Sequence, residues 1–355
     1  MDNRTCPEAG AEAGLRFACL LDGRGAASHM TWAEVWDWEP ADGLLWVHLE
    51  RDDPAAQNWV RVDSSLDPLV AEALLAEDTR PRVETIGDGL LIVLRGVSRN
   101  SDDAHAHLGD DVAFVPLHIW ADGKRVISLR DKGHQLGALR EIRSAAARGQ
   151  GPCRPGEVLA QIAYRVVIDI EPVLDTMDDR IDALEEMVLE GAETPQEEAS
   201  EKMVRRRLSE LRRKAIHLRR YLAPQRDAIT RLQREECTWL TSRDRILLRE
   251  DLDRLLRFIE YLDAIRDRAI LLHDDLCALV SERIARSSLH ISRTSNRLTA
   301  LAALLLPPSL AAGMLGMNVG GIPWSSDPQG FLYMGLISAL CSAAVFVILR
   351  VKKWV

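Results

Sequence analysis

The chain has 355 residues, of which 47% are hydrophobic and 28% are charged, and its formal net charge is −9. This acidic balance argues against an extended nucleic-acid-binding surface, so we expect no nucleic-acid partner. The 6 cysteines include no Cys-x-x-Cys pair, which is typical of free thiols in a reducing compartment rather than of a disulfide framework or a zinc ribbon.

The N-terminal part is predicted to be a short tail followed by a cytoplasmic α+β domain. Residues 1–14 are polar and small, which predicts a flexible tail and no secretory signal. Residues 15–150 combine strand-like runs with helical pieces, and hairpin-type turns at Gly87-Asp88 and Asp122-Gly123 indicate a mixed or mostly antiparallel sheet. The expected strands are 15–21, 44–49, 82–86, 89–97, 112–120 and 125–129, and the expected helices are 54–63, 66–77 and 132–148.

A Pro- and Gly-rich stretch, 149–156, separates this domain from a part that is predicted to be almost wholly helical. Residues 156–235 are expected to form an antiparallel helical hairpin. In its first half, apolar residues recur at spacings of three and four from 159 to 188, which predicts one sustained helix. Gly191 is predicted to end that helix.

The two helices of this hairpin carry opposite charges. The second is expected to begin at a capping box, 194–197, and to kink or break at Pro224. Residues 171–201 hold 12 acidic residues and one basic residue, whereas residues 202–220 hold 9 basic residues and one acidic residue. An antiparallel hairpin lays these segments side by side, and the lack of interleaved aromatic residues favours this interpretation over a nucleic-acid patch. Binding of regulatory cations at the acidic helix is a third interpretation, which ligand spacing does not support.

The next segment has the features of one very long helix. Between residues 241 and 317 no proline precedes Pro307 and no glycine precedes Gly313, while apolar residues keep a helical spacing. At about 1.5 Å per residue such a helix extends about 115 Å. We expect residues 241–297 to form a cytoplasmic stalk that enters the membrane without a break and packs against its own hairpin and against other copies of the chain.

Two uncharged apolar runs, 298–317 and 331–349, are each long enough to span the hydrocarbon core of a bilayer. The connector, 318–330, holds no Lys or Arg, whereas arginines precede the first run and the C-terminus, 350–355, is basic. The positive-inside rule therefore places the connector outside and both termini in the cytoplasm. Because two spans cannot enclose a pathway alone, transport would require an oligomer.

One face of the first predicted span is unusual. Ser295, Leu298, Leu306 and Ser309 follow one another on it together with small residues, so hydroxyls lie at two levels with a bulky leucine between them. Small residues on a membrane helix favour close helix packing. Around a symmetry axis they would instead line a narrow pore, with Leu306 as a dewetting constriction. Pro307 and the proline after it leave backbone carbonyls that neighbours or water must satisfy.

The end of this span carries Gly316-Met317-Asn318, which resembles the GMN signature of the CorA superfamily of divalent-cation channels and transporters. The placement also fits, because a short external loop, one last span and a basic C-terminus follow the motif. Three longer strings are similar to the ZntB branch of that superfamily, namely GMLGMNVGGIP, PRVETIGDGLLIVLRGV and RRYLAPQR.

The resemblance implies a homopentamer with a cytoplasmic funnel, in which the long helix lines the pore. The family's pore-facing positions fall on Ser309, Leu306, Leu298 and Ser295. The signature asparagine, which is Asn318 in this chain, would form a ring at the external mouth. Its amide oxygens suit a hydrated divalent ion, and a helix-capping role is compatible with this. The implied function is passage of hydrated Zn²⁺, as cargo, across the bacterial cytoplasmic (inner) membrane, with the proton coupling proposed for that branch.

The outer loop departs from the magnesium-channel pattern, in which acidic residues follow the GMN motif. Residues 319–323 are neutral, and Asp327 is the only charge in the loop, so cations should be concentrated less strongly at the mouth. A channel for Mg²⁺, Co²⁺ and Ni²⁺ is the alternative within the class. A membrane-anchored coiled-coil scaffold without transport is the alternative from another class, and it predicts no metal flux and tolerance of bulky residues at Ser309.

Metal sites within the protein are harder to predict. His105 and His107 lie among aspartates in a predicted loop, and His273 precedes two aspartates in the stalk, so these three are weak candidate ligands. No phosphate loop, nucleophile elbow or HExxH motif is present, so we expect neither an enzyme nor a bound cofactor.

Overall fold

The computed structural model describes residues 14–77, 80–98, 113–193, 198–317 and 328–351. The chain divides into two compact units, the first ending at His273 and the second beginning at Asp274. The boundary falls inside the longest helix.

The first unit contains a mixed sheet of seven strands. The strands are β1 (Leu15–Leu21), β2 (Ala27–His29), β3 (Leu44–Glu50), β4 (Arg82–Ile86), β5 (Gly89–Ser98), β6 (Ala113–Ala121) and β7 (Arg125–Arg130). Their order in the sheet is β2-β1-β3-β7-β6-β5-β4, in which β3 and β7 are parallel and the other neighbouring pairs are antiparallel. The six predicted strands are confirmed to within one residue at each end, and the short strand β2 was not predicted.

Turn chemistry fixes two of the hairpins at the predicted places. Ile86 pairs with Gly89 across β4 and β5, which leaves a two-residue turn whose first residue, Gly87, has a φ of 57°. This left-handed conformation favours glycine and matches the twist of the two strands. Between β6 and β7, the Asp122 carboxylate accepts hydrogen bonds from the backbone N–H groups of Lys124 and Arg125, both at 2.9 Å.

Short helices cover the sheet, of which the first was not predicted and the other three are shorter than predicted. They are α1 (Trp32–Trp36), α2 (Pro54–Asn58), α3 (Pro68–Leu75) and α4 (Gly137–Ala147). The predicted helix 54–63 changes at Trp59 into a π-helical turn that ends at Asp63. Residues such as Trp46, Leu49 and Ile127 are fully buried between these layers. Hydrophobic burial of this kind is the main force that holds a sheet and its helices together.

The remaining elements are five helices. They are α5 (Pro155–Ile168), α6 (Glu171–Glu193), α7 (Glu198–Arg234), α8 (Ser242–Leu315) and α9 (Gly330–Val351). The acidic α6 and the basic α7 are in contact. The start of α8 carries a capping box, in which the Asp244 carboxylate accepts from the N–H of Thr241 at 2.9 Å and the Thr241 hydroxyl accepts from the N–H of Asp244 at 3.4 Å.

Two helix predictions are wrong. The sustained helix predicted from 159 to 188 is broken between Ile168 and Glu171, because Pro172 lacks an N–H group and its ring would clash with the Ile168 carbonyl in a continuous helix. Gly191 does not end α6, which continues to Glu193. A single glycine weakens a helix by only about 1 kcal/mol, so neighbouring residues can carry the helix past it. The predicted capping box at 194–197 lies outside the described residues.

Pro224 neither ends nor interrupts α7. The next residue, Gln225, is fully buried, and its side-chain carbonyl accepts a hydrogen bond of 2.8 Å from the N–H of Arg95 on β5. The Arg95 guanidinium lies 4.1 Å from the centre of the Tyr221 ring, one turn earlier on α7. These contacts hold α7 against the sheet on both sides of the proline, and this packing offsets the hydrogen bond that the proline removes.

Candidate functional site

Two helices of the described residues are long and apolar enough to cross a membrane. The apolar window in α8 has a mean hydropathy of 1.3 and that in α9 a mean hydropathy of 2.3. Only 6% and 0% of these windows are buried. A core helix of a soluble protein would be mostly buried, so these helices need another apolar environment, which a lipid bilayer provides.

The C-terminal part of α8 has one face that α9 covers. Half-buried or buried residues recur on α8 at helical spacing, and on α9 they do the same. On α8 these residues, here called the covered face, are Ala300, Ala303, Leu304, Pro307, Pro308 and Ala311. On α9 they are Met334, Ser338, Ser342, Val345 and Leu349. Several of these side chains are small, which is typical of helices that associate in a membrane.

The covered face also contains a polar contact that the two prolines make necessary. In a regular helix the Leu304 carbonyl accepts from the N–H four residues later, but that residue is Pro308, which has no N–H group. The Ser342 hydroxyl of α9 donates to this carbonyl instead, at 3.3 Å. The prediction that a neighbour satisfies a carbonyl freed by the prolines is therefore confirmed at Leu304. Ser342 was not among the predicted site residues, although the two serines of this largely apolar span, Ser338 and Ser342, were the available signal.

The four side chains predicted to line a pore are all exposed on the opposite side of α8. Ser295, Leu298, Leu306 and Ser309 are here called the open face. No other described residue covers them, and the two leucines are 64% and 66% exposed. At about 100° per residue, the mean direction of the open face lies about 170° from that of the covered face. The open face is thus an apolar and hydroxyl-bearing surface that α9 leaves free.

The exposed surface of α8 continues on the N-terminal side of the apolar run 298–317. Every residue from 281 to 297 is exposed, including three large aliphatic side chains. Ile284, Leu289 and Ile291 are each 60% exposed or more. Ile284 and Ile291 are seven residues apart and precede Leu298 by the same step, so all three share one helix face. An apolar stripe with this period is typical of a helix that packs against further helices.

The remaining sequence candidates are not brought together. Gly316 and Met317 are exposed just past the end of α8, while Asn318 lies outside the described residues. His105 and His107 also lie outside them, and His273 is half-buried on α8. Within the described ranges, no group of three or more His, Cys, Asp and Glu residues is arranged to hold a metal ion.

In the first unit, the acidic helix α6 is linked to α8 by an ion-pair network. Arg268 of α8 donates to Asp182 at 2.6 Å, to Asp178 at 3.4 Å and also to Glu185. The hydrogen bond to Glu185, followed by that to Asp182, raises the pKa of the Arg268 guanidinium. The sequence analysis placed the basic helix α7 beside these acidic residues; the structure adds a basic partner on α8, which charge patterning along the hairpin could not indicate.

A second charged group on α8 is buried without a partner. Asp251 is 1% exposed, and neither carboxylate oxygen has a hydrogen-bond partner among the described residues. Burial raises the pKa of this carboxyl group to about 7, although the charge of Arg254 opposes the shift. Position 251 lies on the buried stripe between Leu248 and Leu255. A carboxylate on an apolar stripe was the signal that could have identified it.

Comparison with known proteins places these features in one family. The family model of the CorA-like Mg²⁺ transporter protein matches residues 41–353. The divalent cation transporter CmaX of Pseudomonas aeruginosa is 33% identical over 352 residues, which cover 98% of both chains. The zinc transport protein ZntB of Pectobacterium carotovorum is 31% identical over 341 residues, which cover 96% of both chains.

Solved structures have the same architecture. The full-length CmaX protein matches with a TM-score of 0.72 and 31% identity, covering 98% of this chain and 100% of that one. The CorA magnesium transporter of Methanocaldococcus jannaschii matches with a TM-score of 0.61 at 17% identity, covering 95% and 98%, which shows a shared fold. An α/β unit with a mixed sheet, a long helix and two apolar C-terminal helices is therefore a CorA-like fold. With a family match over most of its length and a relative more than 30% identical, the chain belongs to the CorA-like family of divalent cation transporters.

Proposed function

We propose that this protein carries zinc across the bacterial cytoplasmic membrane as a homopentamer, with the open face of α8 lining the pore and both termini in the cytoplasm. The main support for the proposal is that the covered face and the open face lie on opposite sides of α8. Because α9 covers one side, only the other side is free to meet identical copies around an axis. The four side chains on that side are those that the family resemblance assigns to the pore.

The exposed stretch below the apolar run supports an oligomer. Ile284 and Ile291 lie outside the predicted membrane span, where water would surround them in a single chain. Each fully exposed large aliphatic side chain forgoes roughly 1.5–3 kcal/mol of burial free energy. Packing of α8 against its symmetry mates would recover this free energy along the same face that continues into Leu298.

The chemistry of the open face suits a hydrated ion. Hydroxyls at Ser295 and Ser309 can bind the water shell of a divalent cation, whereas no side chain of the open face can replace that shell. Leu306, which is 66% exposed, lies between them. In the pentamer its five copies would form an apolar ring, from which water is expelled when the pore narrows. We infer that ions pass with their water shell, with Asn318 binding it at the outer end.

The choice of zinc depends on the relatives. Several proteins about 30% identical to this chain over nearly its whole length are named zinc transport proteins, whereas CmaX is named only a divalent cation transporter. Residues 319–323 of the outer loop are neutral, so they would concentrate cations at the mouth less strongly than the acidic residues of magnesium channels do. A broad Mg²⁺, Co²⁺ and Ni²⁺ channel is the second candidate.

Flux into proteoliposomes tests the proposal. The wild type should admit Zn²⁺, faster with an imposed proton gradient, and a tenfold excess of Mg²⁺ should not compete. Asn318→Ala should lower the flux at least tenfold, while Asn296→Ala, which removes an amide from a position about 120° away from the open face, should leave it within twofold. Equal flux in Asn318→Ala and the wild type would remove the role of the motif, and competition by Mg²⁺ would favour the broad channel.

The scaffold alternative is separated by two further measurements. It predicts no flux of any metal and full tolerance of Ser309→Leu, whereas a pore should be blocked by five added leucine side chains at one level. The mass of the complex in detergent, measured by native mass spectrometry, should equal five chains. A stable monomer would contradict the pore.

A further inference from the structure

Three arginines lie at one end of the pair of apolar helices. Arg293 and Arg297 precede the apolar run of α8, and Arg350 lies near the end of α9. All three are exposed, and none of them forms an ion pair or a hydrogen bond with another described residue. Other arginines of α8, such as the half-buried Arg266 and the exposed Arg286, do have carboxylate partners.

The three arginines lie at the same height. The hydrogen bond from Ser342 to the Leu304 carbonyl fixes the register between the antiparallel helices α8 and α9. Arg350 is eight residues beyond Ser342, so it lies beside the position eight residues before Leu304, between Arg293 and Arg297. At about 1.5 Å per residue, the three side chains originate within a band about 6 Å deep.

The two arginines of α8 also lie on the side of that helix that α9 covers further along. At about 100° per residue, Arg293 and Arg297 point about 30° from the covered face and about 160° from the open face. Their charges are therefore directed away from the proposed pore and toward the surface where α9 meets lipid. Long arginine side chains at such a position extend along the helix to reach the headgroup region.

We propose that Arg293, Arg297 and Arg350 form a binding site for the phosphate of an anionic phospholipid in the cytoplasmic leaflet. The site rests on the membrane orientation of the proposed function. Guanidinium groups bind phosphate oxygens through two parallel hydrogen bonds, and three of them in one band can bind one headgroup or two adjacent ones. A lipid is the occupant that the position favours, because headgroups must lie where a 20-residue apolar run ends.

Lipid retention by the full-length protein tests the site. Protein purified in detergent is titrated with phosphatidylglycerol or phosphatidylcholine, and bound lipid is counted by native mass spectrometry. The wild type should retain phosphatidylglycerol selectively, and the triple variant R293Q/R297Q/R350Q should bind it at least tenfold more weakly. The matched control is R243Q/R249Q/R257Q, which removes three exposed arginines of α8 with the same change in charge, and it should bind as the wild type does.

Four other outcomes would overturn the proposal. Equal retention of both lipids would show that the site does not select an anionic headgroup. Equal loss of phosphatidylglycerol in the two triple variants would show that retention depends on net charge alone. Competition by soluble glycerol 3-phosphate at equal concentration would identify a phosphate site without a lipid. Selective cross-linking of these arginines to an acidic segment of another copy would identify a protein partner. Since retention is measured without metal, loss of zinc flux with intact retention would contradict the proposed function and leave this site in place.

Discussion

The buried carboxyl group of Asp251 provides a quantitative test of the structure. It lies on the buried stripe of α8, is 1% exposed and has no hydrogen-bond partner for either oxygen among the described residues. Arg254, one turn later, and Glu250 are the charged neighbours on the same helix that affect its titration in opposite directions. The net effect raises the pKa from 3.8 to about 7, because burial penalises the charged form most strongly.

The sign of the pH dependence follows from proton counting. Between pH 3.8 and about 7 the folded protein keeps the Asp251 proton that the unfolded chain has released. Stability from this group is therefore greatest at low pH, falls as the pH rises to about 7, and is constant above it. At about 1.36 kcal/mol per pH unit, the loss between pH 5.5 and pH 8 is about 2 kcal/mol.

The perturbation is Asp251→Asn, which keeps the shape of the side chain and removes its charge. For a folding unit of this size, 1 kcal/mol corresponds to about 2–4 °C in Tm. Thermal unfolding of the full-length protein in detergent, followed by tryptophan fluorescence, should show the variant gaining about 4–8 °C over the wild type between pH 5.5 and pH 8. The control is Asp253→Asn, an exposed aspartate on the same helix, which should not change the pH dependence. A variant that is no more stable than the wild type at pH 8 would refute the buried, unpaired carboxylate.

Three further predictions concern α8 and its partners. Leu306→Ser should raise zinc flux severalfold by wetting the constriction, whereas Leu301→Ser, about 100° away from the open face, should not; equal fluxes would exclude Leu306 as a gate. Arg268→Gln should lower the free energy of unfolding by about 1 kcal/mol at low salt and by less at 0.5 M NaCl, because its three carboxylate partners are partly exposed. The control in the same thermal unfolding experiments is Arg257→Gln, since Arg257 has no ion-pair partner among the described residues. Ser342→Ala should lower the Tm in lipid by the equivalent of about 0.6 kcal/mol, and an unchanged Tm would mean that water satisfies the carbonyl as well as the hydroxyl does.

The strands of the sheet were largely predictable because the chemistry of particular turn residues sets where they end. Gly87 ends β4 with a positive φ that favours glycine, and the Asp122 carboxylate accepts backbone hydrogen bonds in the turn after β6. The predicted strand ends therefore agree with the structure to within a residue. Strand order was not predictable. The parallel pairing of β3 with β7 joins residues about 80 positions apart, such as Val47 and Ile127, and no local pattern encodes that choice. The short elements β2 and α1 contain too few residues to show a period.

The helices show the same division between local and distant causes. The length of α8 followed from the absence of Gly and Pro over most of its sequence, and the structure places its ends within two residues of the prediction. The break before α6 was missed because apolar spacing continues across it, although Pro172 was a local signal. Of the kink or break expected at Pro224, the break does not occur, and the reason is the opposite one. The local effect of the proline is disruptive, but the packing of Gln225 and Tyr221 on the sheet holds α7 together.

The sequence was sufficient to predict which residues of the candidate site share a helix face, but not which helix packs against the opposite face. A helical period assigns Ser295, Leu298, Leu306 and Ser309 to one face whatever the neighbours are, and the structure leaves that face exposed. Which face α9 would cover could not be derived from the sequence, because both faces of an apolar helix offer small residues. The Ser342 contact decides it in the structure.

The two prolines give this arrangement a physical logic. Each removes a backbone donor in the middle of an apolar helix, and an unsatisfied carbonyl in hydrocarbon costs several kcal/mol. Both prolines lie on the covered face, where α9 and its Ser342 hydroxyl can supply a donor, rather than on the open face, where only water or an ion could do so. The open face can then remain apolar at Leu306 and weakly polar at Ser309 without a strong backbone acceptor that would hold a passing cation. A helix with its prolines on the other side would place free carbonyls in the proposed pore, where they would bind a divalent ion and slow its release.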